Sequence, residues 1–182
     1  MSSPYTFQVL LHILTNEQEL LKRTDQKASA LMSTLGIFMV FFIVHYRNIP
    51  PTIPVLILIY LYFAAAFVTI SSLLFVMNPR IKNPEIQNAQ AKKLPNPTFF
   101  AGIAQYETQA KYQQELDSVL KNEEVTYEIF ASNIFAIGHI NAMKFKYFNR
   151  GMRAFAVAIF FELVVIISMY ANTSLSEMIV RP

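Results

Sequence analysis

The sequence predicts an all-α membrane protein, with three transmembrane helices and a cytoplasmic helical bundle formed by the N-terminal helix and the helices of residues 98–150. Three observations predict it. Ala28–Val44 and Ile49–Asn78 carry no charged residue, and Ala154–Asn172 carries one, Glu162; about 20 residues of helix cross a hydrocarbon core. Hydrophobic residues make up 54% of the 182 and charged residues 15%, a balance more apolar than that of a soluble domain. Outside the three stretches the apolar residues recur at helical spacing, and no Asn-Gly or Asp-Gly turn joins alternating runs into a hairpin.

Residues 1–27 read as a cytoplasmic amphipathic helix. Val9, Leu10, Ile13, Leu14, Leu20 and Leu21 share helical spacing, while Glu17, Glu19 and Arg23 fall on other faces. Pro4 sits near the start, where proline is tolerated. Nothing interrupts the pattern before the first span, residues 28–46, so one long helix is expected to end near Tyr46. The adjacent prolines of Arg47-Asn48-Ile49-Pro50-Pro51-Thr52 cannot continue it and make an external turn. The second span, residues 53–77, ends at Asn78-Pro79, because a residue before proline is pushed out of helical geometry.

Residues 78–97 hold Pro79, Pro84, Pro95 and Pro97 and read as a proline-rich loop. Asn96-Pro97-Thr98 starts the next helix, whose apolar stripe of Phe99, Phe100, Ile103, Tyr106, Tyr112, Leu116, Val119 and Leu120 runs to about Leu120. After a short break near Asn122, Val125, Ile129, Phe130, Ile134, Ile137, Ile140 and Met143 carry a second helical pattern. It continues through Lys144–Arg153 into the third span, residues 151–172, with Gly151 able to kink but not to end it; residues 173–182 form an external tail. A bundle this small buries a limited core. Apolar residues such as Phe145, Tyr147 and Phe148 then point to burial against further copies, a homo-oligomer.

Charge orients the chain. Thirteen of the fifteen Lys and Arg lie before the first span or between the second and third, against Arg47 and Arg181 on the other side. Cytoplasmic flanks are enriched in these residues. The N-terminus and residues 79–153 are therefore expected in the cytoplasm and the C-terminus outside. The basic residues near the membrane would also attract anionic headgroups. No basic n-region precedes an early apolar run, so Ala28–Val44 is expected to stay as an anchor rather than to be cleaved as a signal peptide.

Catalytic signatures are missing. With no cysteine there is no thiolate metal site and no cysteine nucleophile, and His12, His45 and His139 are scattered without a carboxylate at metal-ligand spacing. Four glycines build no phosphate-cradling loop, and neither Gly-x-Ser-x-Gly nor His-Glu-x-x-His occurs. No catalytic residue, metal or cofactor is expected. Glu123, Glu124 and Glu128 read as a solvated face near a helix start, where acids favour the macrodipole.

Glu162 has two compatible readings. An ionisable group at bilayer depth costs roughly 2.5–3.5 kcal/mol on insertion scales, which makes it a functional candidate for gating a pore. It also suits a polar contact between spans, with Ser33, Thr34, Thr69, Ser71 or Ser72 as donor. Asp25 and Lys27 stand just before the first span. They read most simply as a membrane-interface pair with the lysine snorkelling, and otherwise as a sensing or oligomer contact. Asn133, His139 and Asn141 interrupt an apolar helix. A histidine there is ordinarily a satisfied bundle residue. Together with Lys144 and Lys146 and the aromatic Phe145 and Tyr147, the same residues are the types a nucleotide site uses, since bases stack on rings and phosphates pair with lysine.

The order of several motifs resembles the transmembrane Pycsar effector proteins of bacterial anti-phage cyclic-nucleotide signalling. Asp25-Gln26-Lys27-Ala28 precedes the first span, two spans lie close together, and Asn78-Pro79-Arg80 marks the exit. Phe99-Phe100-Ala101-Gly102-Ile103 opens a helix, and Lys146-Tyr147 leads to a last span. The resemblance covers about Leu14 to Tyr170. It implies a cyclic nucleotide as ligand, made by a neighbouring nucleotide cyclase that acts through its product. It also implies the lipid bilayer of the inner membrane as target, and no nucleic acid polymer as partner. The chain departs from the fullest version of such effectors in having no separate β-rich nucleotide-binding domain. Sensing would then fall to the helical bundle, to oligomer interfaces or to another protein. The alternative is a non-catalytic membrane anchor or assembly subunit that recruits a cytoplasmic enzyme.

Overall fold

A computed structural model describes residues 4–45, 47, 49, 52–78, 97–98 and 100–180, the side chains of 4, 5, 100, 101 and 172–180 excepted. Most of the expected proline-rich loop, with Arg80, Lys82, Lys92 and Lys93, lies outside the described residues, as does Phe99. Among the described residues there is helix and no strand. The helices are α1 (Pro4–His45), α2 (Ile53–Met77), the single turn α3 (Phe100–Ile103), α4 (Gln109–Leu120) and α5 (Glu123–Val180).

Three of them are long and apolar enough to cross a membrane. The 25 residues of α2 extend about 38 Å at 1.5 Å per residue, enough for a core of about 30 Å. The 42 residues of α1 and 58 of α5 have contour lengths of about 63 and 87 Å, so only part of each lies in the hydrocarbon. α2 starts with a proline in its first turn after Thr52, and at its end the Asn78 N–H donates to the Leu74 carbonyl at 2.9 Å.

The chain forms two compact units. The first holds Met1–Lys22 and Arg80–Met143, the second Arg23–Pro79 and Lys144–Pro182. α1 and α5 are each unbroken through both ranges.

In the first unit the stripe from Phe99 to Leu120 is not one helix. α3 stops at Ile103, Gln105 and Tyr106 close a turn back onto Gly102 and Ile103, and α4 restarts at Thr108, whose hydroxyl accepts from the Lys111 N–H. Thr108 is a good N-cap and Gly102 a poor helix residue, so the local signals outweigh the continuous apolar stripe. The break at Asn122 is built as a cap: Asn122 Oδ1 accepts from the Glu124 and Val125 N–H groups at 3.2 and 3.3 Å. The buried Thr126 hydroxyl donates to Val119 O at 2.8 Å and fastens α5 to the end of α4. Phe7 of α1 meets Phe130 of α5 edge-on at 5.0 Å.

In the second unit α1, α2 and α5 share two apolar clusters. One gathers Leu35 and Phe42, Val55, Tyr62 and Ala66, and Ala158 and Val165. The other gathers Ala28, Leu73, Val76 and Phe148. Phe148, expected as an oligomer contact, is thus core, because α2 covers it; Phe145 remains exposed. At Gly151 a Cβ would meet Leu73 Cδ2 at 3.0 Å, so the glycine lets α5 approach α2 closely, as small residues do between membrane helices, and the helix continues past it. The outward faces stay apolar: Ile43 is 75% exposed, Phe67 71% and Ile167 66%. A surface of that kind suits lipid rather than water. Helix continues to Val180, so the segment expected as a tail from 173 is helical over most of its length.

Candidate functional site

Each unit holds its helices together with polar side chains. In the first, Asn141 is buried on α5 and its amide donates to both the Glu17 carbonyl at 2.9 Å and Glu17 Oε2 at 2.7 Å. A bond to a charged acceptor contributes about 1.5–3 kcal/mol. The same amide's oxygen is buried with no partner among the described residues. Two turns earlier Asn133 donates to the Thr98 hydroxyl at 3.2 Å. His139 lies parallel to Phe135 at 6.4 Å, and both are exposed.

In the second unit Lys144 reaches inward and places Nζ 2.6 Å from Asp25 Oδ1. The lysine side chain is 4% exposed and the aspartate 36%. One turn further along each helix stand Ala28 and Phe148 of the buried cluster, so the ion pair caps an apolar seam. Asp25 therefore pairs across helices with Lys144, and Lys27 is exposed on another face of α1. A two-residue step on a helix turns by about 200°, which separates Asp25 from Lys27.

Deeper in the spans, Glu162 is 2% exposed on the α5 face that carries Ala158 and Val165. Neither of its carboxyl oxygens has a hydrogen-bond partner among the described residues. The expected donor Thr69 gives its proton to the Ala65 carbonyl of its own helix at 2.9 Å, and Thr34 bonds Ala30 in the same way. The hydroxyl of Tyr62 on α2 is also buried with no hydrogen-bond partner among the described residues, and Tyr62 belongs to the same apolar cluster as Ala158 and Val165. Its ring packs 4.5 Å from that of Phe42 on α1.

The five residues expected at a nucleotide site divide between the units. Asn133, His139 and Asn141 belong to the first, Lys144 and Lys146 to the second. Asn133, Asn141 and Lys144 already hold partners from their own unit. Lys146 instead lines a shallow depression with Tyr147, Asn149, Arg150 and Arg153. Sequence reasoning missed Glu17 and Tyr62. Neither had a local signal, since a glutamate on an amphipathic helix and a tyrosine in a span are both ordinary.

The family model of the Pycsar effector protein domain matches residues 9–171. No curated protein and no solved structure matches the chain.

Proposed function

The chain belongs to the Pycsar effector family, whose members are effectors of anti-phage defence rather than catalysts, and from that premise we propose how it acts. It is activated by a cyclic nucleotide second messenger, associates with further copies of itself and disrupts the inner membrane to abort infection. The N-terminus faces the cytoplasm, where a nucleotide cyclase supplies the ligand, and the C-terminus faces out. The 13-to-2 distribution of Lys and Arg supports that orientation. Exposed Leu11, Leu120 and Phe135 in the first unit support association between copies.

The observation that carries the proposal is the orphan polar pair inside the spans. The described packing seals the Glu162 carboxyl and the Tyr62 hydroxyl away from hydrogen bonds. Each unsatisfied buried group costs about 1–3 kcal/mol. An arrangement that wets them recovers that energy. Moving such a two-state system from mostly closed to mostly open takes about 5.5 kcal/mol of differential ligand affinity, so the orphans lower what the nucleotide must supply. Glu162 is in this reading the gating residue, held shut by packing. Asp25 and Lys144 fasten α1 to α5 within the same unit, while Lys27 stands exposed on another face of α1.

The nucleotide meets Asn133, His139 and Asn141. The amides exchange their bonds to Thr98 and Glu17 for bonds to the ligand, and the exposed Phe135–His139 pair offers a stacking platform. α1 and α5 carry the change along continuous helix.

Dye-loaded liposomes containing the purified chain test this reading against a panel of cyclic mono- and oligonucleotides. Leakage with one nucleotide and not the others is the expected result. No leakage and no calorimetric binding, with toxicity only beside a co-expressed partner, would instead make the chain a recruiting anchor.

A further inference from the structure

We propose that Lys146, Arg150 and Arg153 bind the phosphate of an anionic phospholipid whose acyl chains lie along the same face of α5. This site is separate from the nucleotide reading and stands without it.

The three cations are spaced i, i+4 and i+7, which puts them on one side of the helix. All three are exposed, and none has an ion-pair partner among the described residues. Lys144, two residues earlier, differs on both counts. The depression they line with Asn149 and Tyr147 measures about 410 Å³, room for a phosphoglycerol-sized headgroup. Asn149 adds an amide donor, and two guanidinium groups offer paired N–H donors to phosphate oxygens.

The next turns of α5 select a lipid over a free phosphate. Val157 and Phe160 continue the same spacing, both exposed, with Ile167 two turns beyond. One face of α5 thus reads cationic for two turns and apolar for the next four, the polarity pattern of an anionic lipid. The change falls at Arg153–Ala154, where the third apolar stretch begins. Tyr147 stacks on Phe75 of α2 with ring centres 5.3 Å apart, so that ring is engaged by protein rather than left to take a base. Tyrosine and Arg/Lys are the residues that anchor a span at the headgroup level.

Native mass spectrometry of the full chain, taken from equal parts phosphatidylglycerol and phosphatidylcholine, tests the site. The wild-type chain should keep phosphatidylglycerol in preference. Lys146→Gln, Arg150→Gln and Arg153→Gln together should lower that preference about a hundredfold, given roughly fivefold for each juxtamembrane cation. Arg150→Lys with Arg153→Lys, which keeps the charge and any fold effect of replacing arginine, should preserve it. A control with the same charge change elsewhere, Lys22→Gln, Lys111→Gln and Lys121→Gln, should leave it nearly intact. Equal loss in the control means diffuse attraction to the bilayer and overturns a built site. Displacement of the lipid by micromolar cyclic mononucleotide, or by inorganic phosphate, overturns the lipid assignment in favour of a soluble phosphate ligand.

Discussion

The Asp25–Lys144 pair allows a test whose outcome depends on sign as well as size. Lys144 is almost fully buried, and Asp25 supplies its counter-charge at 2.6 Å. Asp25→Ala leaves the ammonium inside without its partner. Breaking a fully buried pair from one side costs about 3–5 kcal/mol. Asp25 is 36% exposed, so water screens part of the interaction and about 2–3 kcal/mol is the better expectation. Lys144→Met removes the buried charge together with the pair, keeps a similar volume beside Phe148, and should cost about 1 kcal/mol or less. With the methionine in place, Asp25→Ala should add almost nothing. Reversible unfolding in mixed micelles, followed by helical circular dichroism, gives all four corners of the cycle. The expected order is Asp25→Ala well below Lys144→Met, with the double variant close to the methionine single. Equal and additive losses would refute the argument, because they would mean that water reaches Lys144 and the pair contributes only as an exposed contact.

The packing of the spans sets two further outcomes. Gly151→Ala sets the helical gain of a Cβ against a 3.0 Å approach to the buried Leu73, which must give by a few tenths of an ångström, and should change stability by less than about 1 kcal/mol, whereas Gly151→Leu must push α2 away from α5 and should cost about 2 kcal/mol or more in the same unfolding measurement. Glu162→Leu combined with Tyr62→Phe removes both orphan polar groups, so it should raise stability by about 2 kcal/mol or more and suppress triggered leakage from liposomes; lower stability with unchanged leakage would remove these residues from the gating account.

The spans were legible because apolarity over twenty residues needs no partner to be recognised. Pro50-Pro51 and Asn78-Pro79 set their ends by local geometry alone. Glu162 was equally plain as the one charge in its stretch. The interruption between α3 and α4 was written locally too, in Gly102 and Thr108, but a stripe of aromatics at helical spacing concealed it. Periodicity reports which residues share a side, and it carries no sign of a turn that falls between them.

The partners of the polar residues were hidden for a different reason. Asp25 stands two residues from Lys27 in sequence and 119 from Lys144, yet the helix rotates Lys27 away and packing brings Lys144 in. Asn141 and Glu17, 124 residues apart, are the same case in the first unit. Residue type made Asn141 and Lys144 look like ligand groups, and it gave no sign of the bonds to Glu17 and Asp25 that packing gives them. An exposed cation and a buried one have identical letters; only the angle around α5 distinguishes Lys144 from Lys146. The stripe of Lys146, Arg150 and Arg153 shows what that angle adds. Counted along the chain these residues fix orientation, and viewed down the helix they form a single face that continues into Val157 and Phe160. Topology needs only the count, whereas recognition of a phosphate with two acyl chains needs the face. Substitutions that keep the count and scatter the face should therefore preserve insertion and abolish lipid preference.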